Sequence, residues 1–207
     1  SYSGLMGQNF LNEATLNYIA SFGKHSLAAI AGLSYNWVHK EDYTLSTAGG
    51  YANDIVTTLN NAIANSSGVT YNGSNTESNS TLYSYYGRLQ YSFSDKYLLS
   101  ASFRRDASSK FGKNNRWGTF PSLSAGWRIS DEPFFKNISF VNDLKLRASW
   151  GKAGNNNIGN YNAVSTLTSD NYSFGGNSPV VATGRVSSGL ANPSLKWETA
   201  ETYGAGI

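Results

Sequence analysis

A chain of 207 residues with 21 Gly, 14 Tyr, 10 Phe and 5 Trp, but only 14% charged residues and 4 Pro, is poor in helix formers and rich in residues that suit strands and turns, which excludes a helical bundle or a coiled coil. A mean hydropathy of −0.38, with no apolar run near the roughly 18 residues of a spanning helix, excludes a helical membrane protein, and this many aromatic residues argue against disorder. The net charge of +3 is scattered rather than patched, so no nucleic-acid footprint is expected, and zero cysteines exclude disulfides, thiolate metal sites and a cysteine nucleophile.

Alternation of apolar and polar residues runs along most of the chain and predicts seven strands. The first lies near 10–21, with Ala14, Leu16, Tyr18 and Ala20 on one face. The second, near 26–38, aligns Leu27, Ala29, Ala31, Leu33, Tyr35 and Trp37. The third, near 81–93, sets Tyr83, Tyr85, Leu89, Tyr91 and Phe93 against Ser84, Arg88, Gln90 and Ser92. The fourth, near 97–106, opposes Tyr97, Leu99, Ala101 and Phe103 to Ser100, Ser102, Arg104 and Asp106. The fifth, near 117–129, opposes Trp117, Pro121, Leu123, Ala125, Trp127 and Ile129 to Ser122, Ser124 and Arg128. The sixth, near 143–151, opposes Leu144, Leu146, Ala148 and Trp150 to Asp143, Lys145, Arg147 and Ser149. The last, near 196–207, carries Trp197, Tyr203, Ala205 and Ile207.

The connections alternate between tight turns (22–25 and 94–96) and long loops (39–80 and 152–195), with links of intermediate length at 107–116 and 130–142. A short helix is predicted over Asp54–Ala64, N-capped by Asp54. Strands of about a dozen residues, at roughly 3.3 Å each and tilted by about 45°, cover a bilayer's hydrocarbon layer. Together these features predict an all-β fold: an antiparallel up-and-down transmembrane β-barrel, here an incomplete segment of about seven strands with long extracellular loops. Tyr35, Trp37, Tyr83, Tyr85, Trp117, Trp127, Trp150 and Trp197 are the candidate aromatic girdle. The competing expectation is a secreted or surface β-sandwich, a carbohydrate-binding module that buries the same rings.

On the polar parity, Arg88, Arg104, Asp106, Arg128, Lys145 and Arg147 are candidate lumen-facing residues, because a cation on the lipid face near mid-bilayer costs about 2–4 kcal/mol. Arg105 and Glu201 fall on the apolar parity and are expected at strand ends. Asn155, Asn156, Asn157 and Tyr161 combine amides with an aromatic, which suits sugar hydroxyls and sugar faces, although Asn also favours turns on backbone grounds. No catalytic constellation is present. His25 and His39 lie at opposite ends of one predicted strand, no nucleophile elbow or phosphate-binding glycine pattern occurs, and Glu41-Asp42 and Asp131-Glu132 read as solvated turns. No enzyme activity, metal site or cofactor is expected.

The segment Tyr97 to Glu132, YLLSASFRRDASSKFGKNNRWGTFPSLSAGWRISDE, is similar to the barrel of SusC/RagA-type TonB-dependent outer-membrane transporters. The resemblance continues through Phe140 to Tyr161, FVNDLKLRASWGKAGNNNIGNY, and returns at Asn192 to Glu198, NPSLKWE. Ala107 stands where the family pattern has Gly after Arg-x-Asp. The resemblance implies a larger Gram-negative outer-membrane protein, whose remaining barrel strands, plug domain and signal peptide are all expected outside these residues. It also implies import of glycan or peptide fragments, a SusD-like surface lipoprotein as partner, and energy from the TonB complex through an N-terminal region. Such a piece of wall, left alone in water, is expected to aggregate through its edges and its uncovered apolar face.

Overall fold

The computed structural model describes residues 1–48, 50–51, 55, 58, 62–63, 70–135, 141–174 and 180–207. Most of these are strand: β1 (Tyr2–Phe22), β2 (His25–Ala48), β3 (Gly50–Tyr51), β4 (Ala62–Ile63), β5 (Thr70–Phe93), β6 (Tyr97–Ser108), β7 (Trp117–Arg128), β8 (Lys145–Asn155), β9 (Leu167–Phe174), β10 (Val180–Ser187) and β11 (Glu198–Gly206). One seven-stranded sheet runs in the order β1-β2-β5-β6-β7-β8-β11, while β3–β4 and β9–β10 are separate two-stranded pairs. Once these short hairpins are set aside, every neighbour in the sheet is a neighbour along the chain. The fold is an up-and-down antiparallel meander, as expected. Among the described residues no second large sheet covers it, so the β-sandwich expectation does not hold.

Register carries the sequence alternation across the sheet. Ala101 of β6 stands opposite Leu89 of β5 and Leu123 of β7. Leu123 in turn faces Trp150 of β8, and Trp150 faces Tyr203 of β11. On the other parity, Ser102 lies between Arg88 and Ser122. A slip of one residue would move a whole apolar row to the opposite face, which is why the pairing is specified so strongly. The turn between β5 and β6 is equally defined. Ser94 and Asp95 adopt left-handed φ of 52° and 57°, and the Lys96 amide donates to the Phe93 carbonyl at 3.1 Å. Two consecutive left-handed residues match the right-handed twist of the flanking strands, and the Ser92 hydroxyl donates to the Asp95 carboxylate at 3.1 Å.

Several boundaries differ from the sequence expectation. Residues 39–48 and 70–80, expected as loop, continue β2 and β5 as strand to 24 residues each. β1 begins at Tyr2 rather than near residue 10. β8 starts at Lys145 and runs on to Asn155, and the segment 152–195 contains the β9–β10 hairpin, paired from Leu167↔Ser187 to Val180↔Phe174. β11 starts at Glu198, because Trp197 turns away into a buried cluster. The helix expected over 54–64 falls largely outside the described residues; of its described residues, Ile55, Thr58 and Ala62–Ile63, the last two are strand paired with Gly50–Tyr51.

The chain divides into two compact units, Ser1–Phe10 with Trp37–Ser80, and Leu11–Asn36 with Thr81–Ile207. In the first, polar side chains bridge the strands: His39 bonds Asn79 at 2.9 Å, Asn75 donates to Glu41 at 2.6 Å, and Trp37 stacks on His39. The second holds the rest of the sheet and the apolar cluster described below. Buried apolar residues are few, namely Phe111, Phe120, Phe135, Ala163 and Trp197 among the described residues. A water-soluble domain of this length would bury many more.

Candidate functional site

The apolar face of the second unit is banded. At one end Tyr35, Tyr83, Tyr85 and Trp117 form a continuous ring cluster, with Tyr83 and Tyr85 centroids 4.9 Å apart and Tyr85 stacked on Trp117 at 5.9 Å. Arg105, on the apolar parity, lays its guanidinium 4.9 Å from the centre of the Trp117 ring, a cation–π arrangement that shelters the charge. At the other end Phe93, Tyr97 and Trp127 stack in sequence at 6.2 and 6.4 Å. His25 joins them, 4.8 Å from Phe93 and hydrogen-bonded to the Tyr91 hydroxyl at 2.7 Å. Between the belts lie Leu89, Leu99, Ala101, Leu123 and Ala125, with both Leu99 and Leu123 more than half exposed. From the Tyr97↔Trp127 pair to the Ala107↔Trp117 pair is ten residues of β6, about 33 Å along the strand and about 23 Å along the normal of a sheet tilted by about 45°. That is the height of an outer-membrane apolar band, roughly 25 Å.

Two candidate girdle residues lie elsewhere. Trp150 sits opposite Leu123, in the apolar middle rather than at a strand end. Trp197 is buried, 9% exposed. Glu201, the other charge on the apolar parity, is neutralised by Lys152, its cross-strand partner in register, at 3.7 Å.

The polar face treats its cations in two ways. Arg104 is held internally: its Nε donates to both oxygens of the buried Asp106 at 2.9 and 2.8 Å, and its Nη2 donates to the buried Ser84 hydroxyl at 3.0 Å. Its guanidinium also lies 5.8 Å from the Tyr86 ring centre. At the opposite end Arg128 stands directly across from Lys145, and Arg147 across from Gly126. Arg128 reaches Asp131 only at 4.0 Å. Arg88 lies between the two groups, beside Asn17 and Ile30. Small hydroxyl residues fill the wall, with Ser102 and Ser122 bonded to each other at 2.6 Å.

Above the first belt, the connection 109–116 and the segments 156–158 and 192–197 pack together. Phe111, Phe120 and Trp197 form the buried centre, with ring centroids 5.1 and 5.2 Å apart and Leu82, Ile158 and Leu195 around them. The Trp197 indole donates to the Arg116 carbonyl at 2.8 Å. Gly118 and Gly154 lack the Cβ that would collide with the Phe120 ring. Asn115 donates to the Pro193 carbonyl at 3.0 Å, and Lys110 to the Asn156 carbonyl at 3.4 Å. The candidate amide motif belongs largely to this scaffold. Asn155 donates to Glu198 at 3.0 Å and accepts from the Asn157 amide at 2.9 Å, while Asn156 reaches Ser108 at 3.5 Å. Tyr161 takes a left-handed φ of 67° and is half exposed. Sequence reasoning missed Phe111 and Phe120. The available signal was a lone phenylalanine, Phe120, on the polar parity of β7 among Gly118, Ser122 and Ser124.

Glu132 corrects the reading of Asp131-Glu132 as a solvated pair. Following a single 3-10 turn, Ile129–Asp131, its carboxylate is buried. It accepts from the Tyr97 hydroxyl at 2.7 Å, the Trp127 indole at 3.2 Å and the Lys96 ammonium at 3.3 Å. These donors, Tyr97 first, hold its pKa below the ordinary glutamate value. A lowered folded-state pKa stabilises the fold fully above the unfolded value of about 4.3, and this contribution is lost as pH falls through the lower folded value. Denaturant midpoints of the intact protein should therefore drop between pH 7 and about pH 3, and Glu132→Gln should flatten that drop. Parallel pH profiles for the two proteins would contradict the assignment.

Comparison with known proteins agrees with this geometry. The family described as TonB dependent receptor-like, beta-barrel, matches residues 2–207. A TonB-dependent receptor of Formosa agariphila is 37% identical over 203 residues, covering 96% of this chain and 18% of that receptor. The TonB-dependent receptor SusC of Bacteroides thetaiotaomicron is 45% identical over 132 residues, 61% of this chain and 13% of that protein. Among solved structures, the RagAB peptide importer in its open-open state superposes with a TM-score of 0.78 at 27% identity, covering 99% of this chain and 21% of that one. The chain thus spans less than a fifth of the length of these two receptors.

Proposed function

The chain belongs to the TonB-dependent receptor β-barrel family, and on that premise we propose that it forms part of the wall of a SusC/RagA-type importer in the outer membrane of a Gram-negative bacterium. The observation that carries this reading is the banded face: two aromatic belts bound an apolar surface one hydrocarbon layer high, on a sheet whose other face is polar. In this reading the apolar face meets outer-membrane lipid, with Tyr35, Trp37, Tyr83, Tyr85, Trp117 and Trp127 as girdle. Arg88, Arg104, Asp106, Arg128, Lys145 and Arg147 line the lumen. The tight Ser94–Asp95 turn lies on the periplasmic side, and the Phe111–Trp197 cluster braces the extracellular mouth.

The solutes are glycan or peptide fragments, delivered by a SusD-like surface lipoprotein and driven inward through TonB. The wall contributes passage and contact rather than bond-making chemistry, and no nucleic acid is a partner. Support comes from the kinship with SusC and from the RagAB structures, which are of a peptide importer. Fractionation and uptake test the proposal together. The intact protein should partition with outer-membrane vesicles, and cells carrying it should accumulate a labelled oligosaccharide or peptide only while TonB is functional. Recovery in the soluble periplasm, or accumulation that ignores loss of TonB, would refute it.

A further inference from the structure

Among the described residues, Arg105 is the one cation on the apolar parity of β5, β6 and β7. β6 is the middle strand of the seven-stranded sheet. The outward surface around Arg105 is therefore built by this chain itself. Further strands of a barrel join at β1 and β11, and whatever fills the lumen lies on the opposite, polar face.

Register sets Tyr85 and Thr119 on either side of Arg105, so a guanidinium stands between a phenol and a hydroxyl, all three exposed. The guanidinium leans toward the mouth, 4.9 Å from the centre of the Trp117 ring, whose register partner is Ala107. That height, within the first aromatic belt, is where lipid headgroups lie. The ring holds the guanidinium in place but supplies no counter-charge, which leaves its N–H fork for the oxygens of an anion.

Farther into the band, the same face carries a groove of about 710 Å3 lined by Leu89, Leu99, Ala101, Leu123, Ala125 and Trp150. Ala101 is four residues from Arg105 on the same side of β6, about 13 Å along the strand. A single molecule meets both demands when it joins a negative headgroup to a hydrocarbon chain running toward mid-bilayer.

We propose that Arg105, Tyr85 and Thr119 hold the phosphate of one outer-leaflet lipid, whose acyl chain lies in the groove. The proposal rests on the importer reading, which sets this face against the bilayer, and adds a partner to it. The planar fork of arginine suits two phosphate oxygens, and the two hydroxyls complete their hydrogen bonds. Apolar surface alone would take any lipid; the charge selects by headgroup.

The test titrates the intact receptor in nonionic detergent with phosphatidic acid, or with diacylglycerol of the same chains, and counts bound lipid by native mass spectrometry. Phosphatidic acid should bind at least about tenfold more tightly, and inorganic phosphate should not displace it. Arg105→Gln should remove that preference while leaving diacylglycerol binding unchanged, and Arg105→Lys should keep part of it. Ala101→Phe, which fills the groove, should weaken both lipids alike. Equal binding of the two lipids by the unaltered receptor, or a preference that survives Arg105→Gln, would overturn the site. Displacement by inorganic phosphate, or binding that ignores Ala101→Phe, would overturn its assignment to a lipid. Should Arg105→Gln fail to fold, the two-lipid comparison and Arg105→Lys still decide. The importer reading is judged separately, by TonB-dependent accumulation, and survives any of these results.

Discussion

Leu123→Arg should destabilise the intact receptor by about 2–4 kcal/mol, or prevent its insertion into vesicles, whereas Gln90→Arg should stay within about 0.5 kcal/mol. The two positions differ in face rather than in depth. Leu123 is 55% exposed and stands between Ala101 and Trp150 in the middle of the apolar band. Gln90 is opposite Ser100 on the polar face. A guanidinium at Leu123 would have hydrocarbon on every side, with a belt too far along the strand for it to snorkel fully. A guanidinium at Gln90 would meet water. Equilibrium unfolding from lipid vesicles and the heat-shift of the folded band on gels both report the contrast. Equal tolerance at the two sites would mean that the apolar face does not meet hydrocarbon, and a reversed contrast would mean that the faces have been assigned the wrong way round.

Trp197→Ala should cost about 3–5 kcal/mol, the range for emptying a buried aromatic site. The loss should concentrate at the mouth, since the ring fills the space between Phe111 and Phe120. It should also release the Arg116 carbonyl from its indole partner. Trp197→Phe separates the two contributions: it keeps most of the apolar contact and gives up the hydrogen bond, at about 1 kcal/mol. Hydrogen exchange read on 109–116 and 156–158 should accelerate strongly in the alanine variant and slightly in the phenylalanine variant. Unchanged exchange in Trp197→Ala would show that the loops are held without the cluster.

What could be read from the chain, and what could not, follows the range of the interactions concerned. Strand faces were legible because alternation has a period of two and needs no partner to be seen; Leu99 against Ser100 and Leu123 against Ser124 announce their sides alone. The far halves of β2 and β5 were not. There β5 is polar on both faces, with Asn75, Glu77 and Asn79 on one and Ser74, Thr76 and Ser78 on the other, and its pairing rests on cross-strand side-chain bonds to Glu41 and His39. Trp150 looked terminal because alternation fades near Gly151, yet the strand continues to Asn155. Trp197 depends on Arg116, 81 positions away, and Glu132 on Tyr97, 35 positions away. No local pattern encodes such contacts. The polar-face residues were named from parity alone; that Arg104 is held by Asp106 and Ser84 while Arg128 stands across from Lys145 required the register.

The consecutive order of the sheet governs how such a wall can be assembled. Each of the strands β6, β7 and β8 pairs with the strand that precedes it in the chain, closed by a connection of modest length, so contact order within this stretch is low and loop-closure entropy is met in small instalments. Inside a bilayer every unpaired backbone group costs several kcal/mol. A meander limits that exposure to the strand at each free edge. Strands can therefore join one after another from either side, each arrival covering the row of amides and carbonyls left by the last.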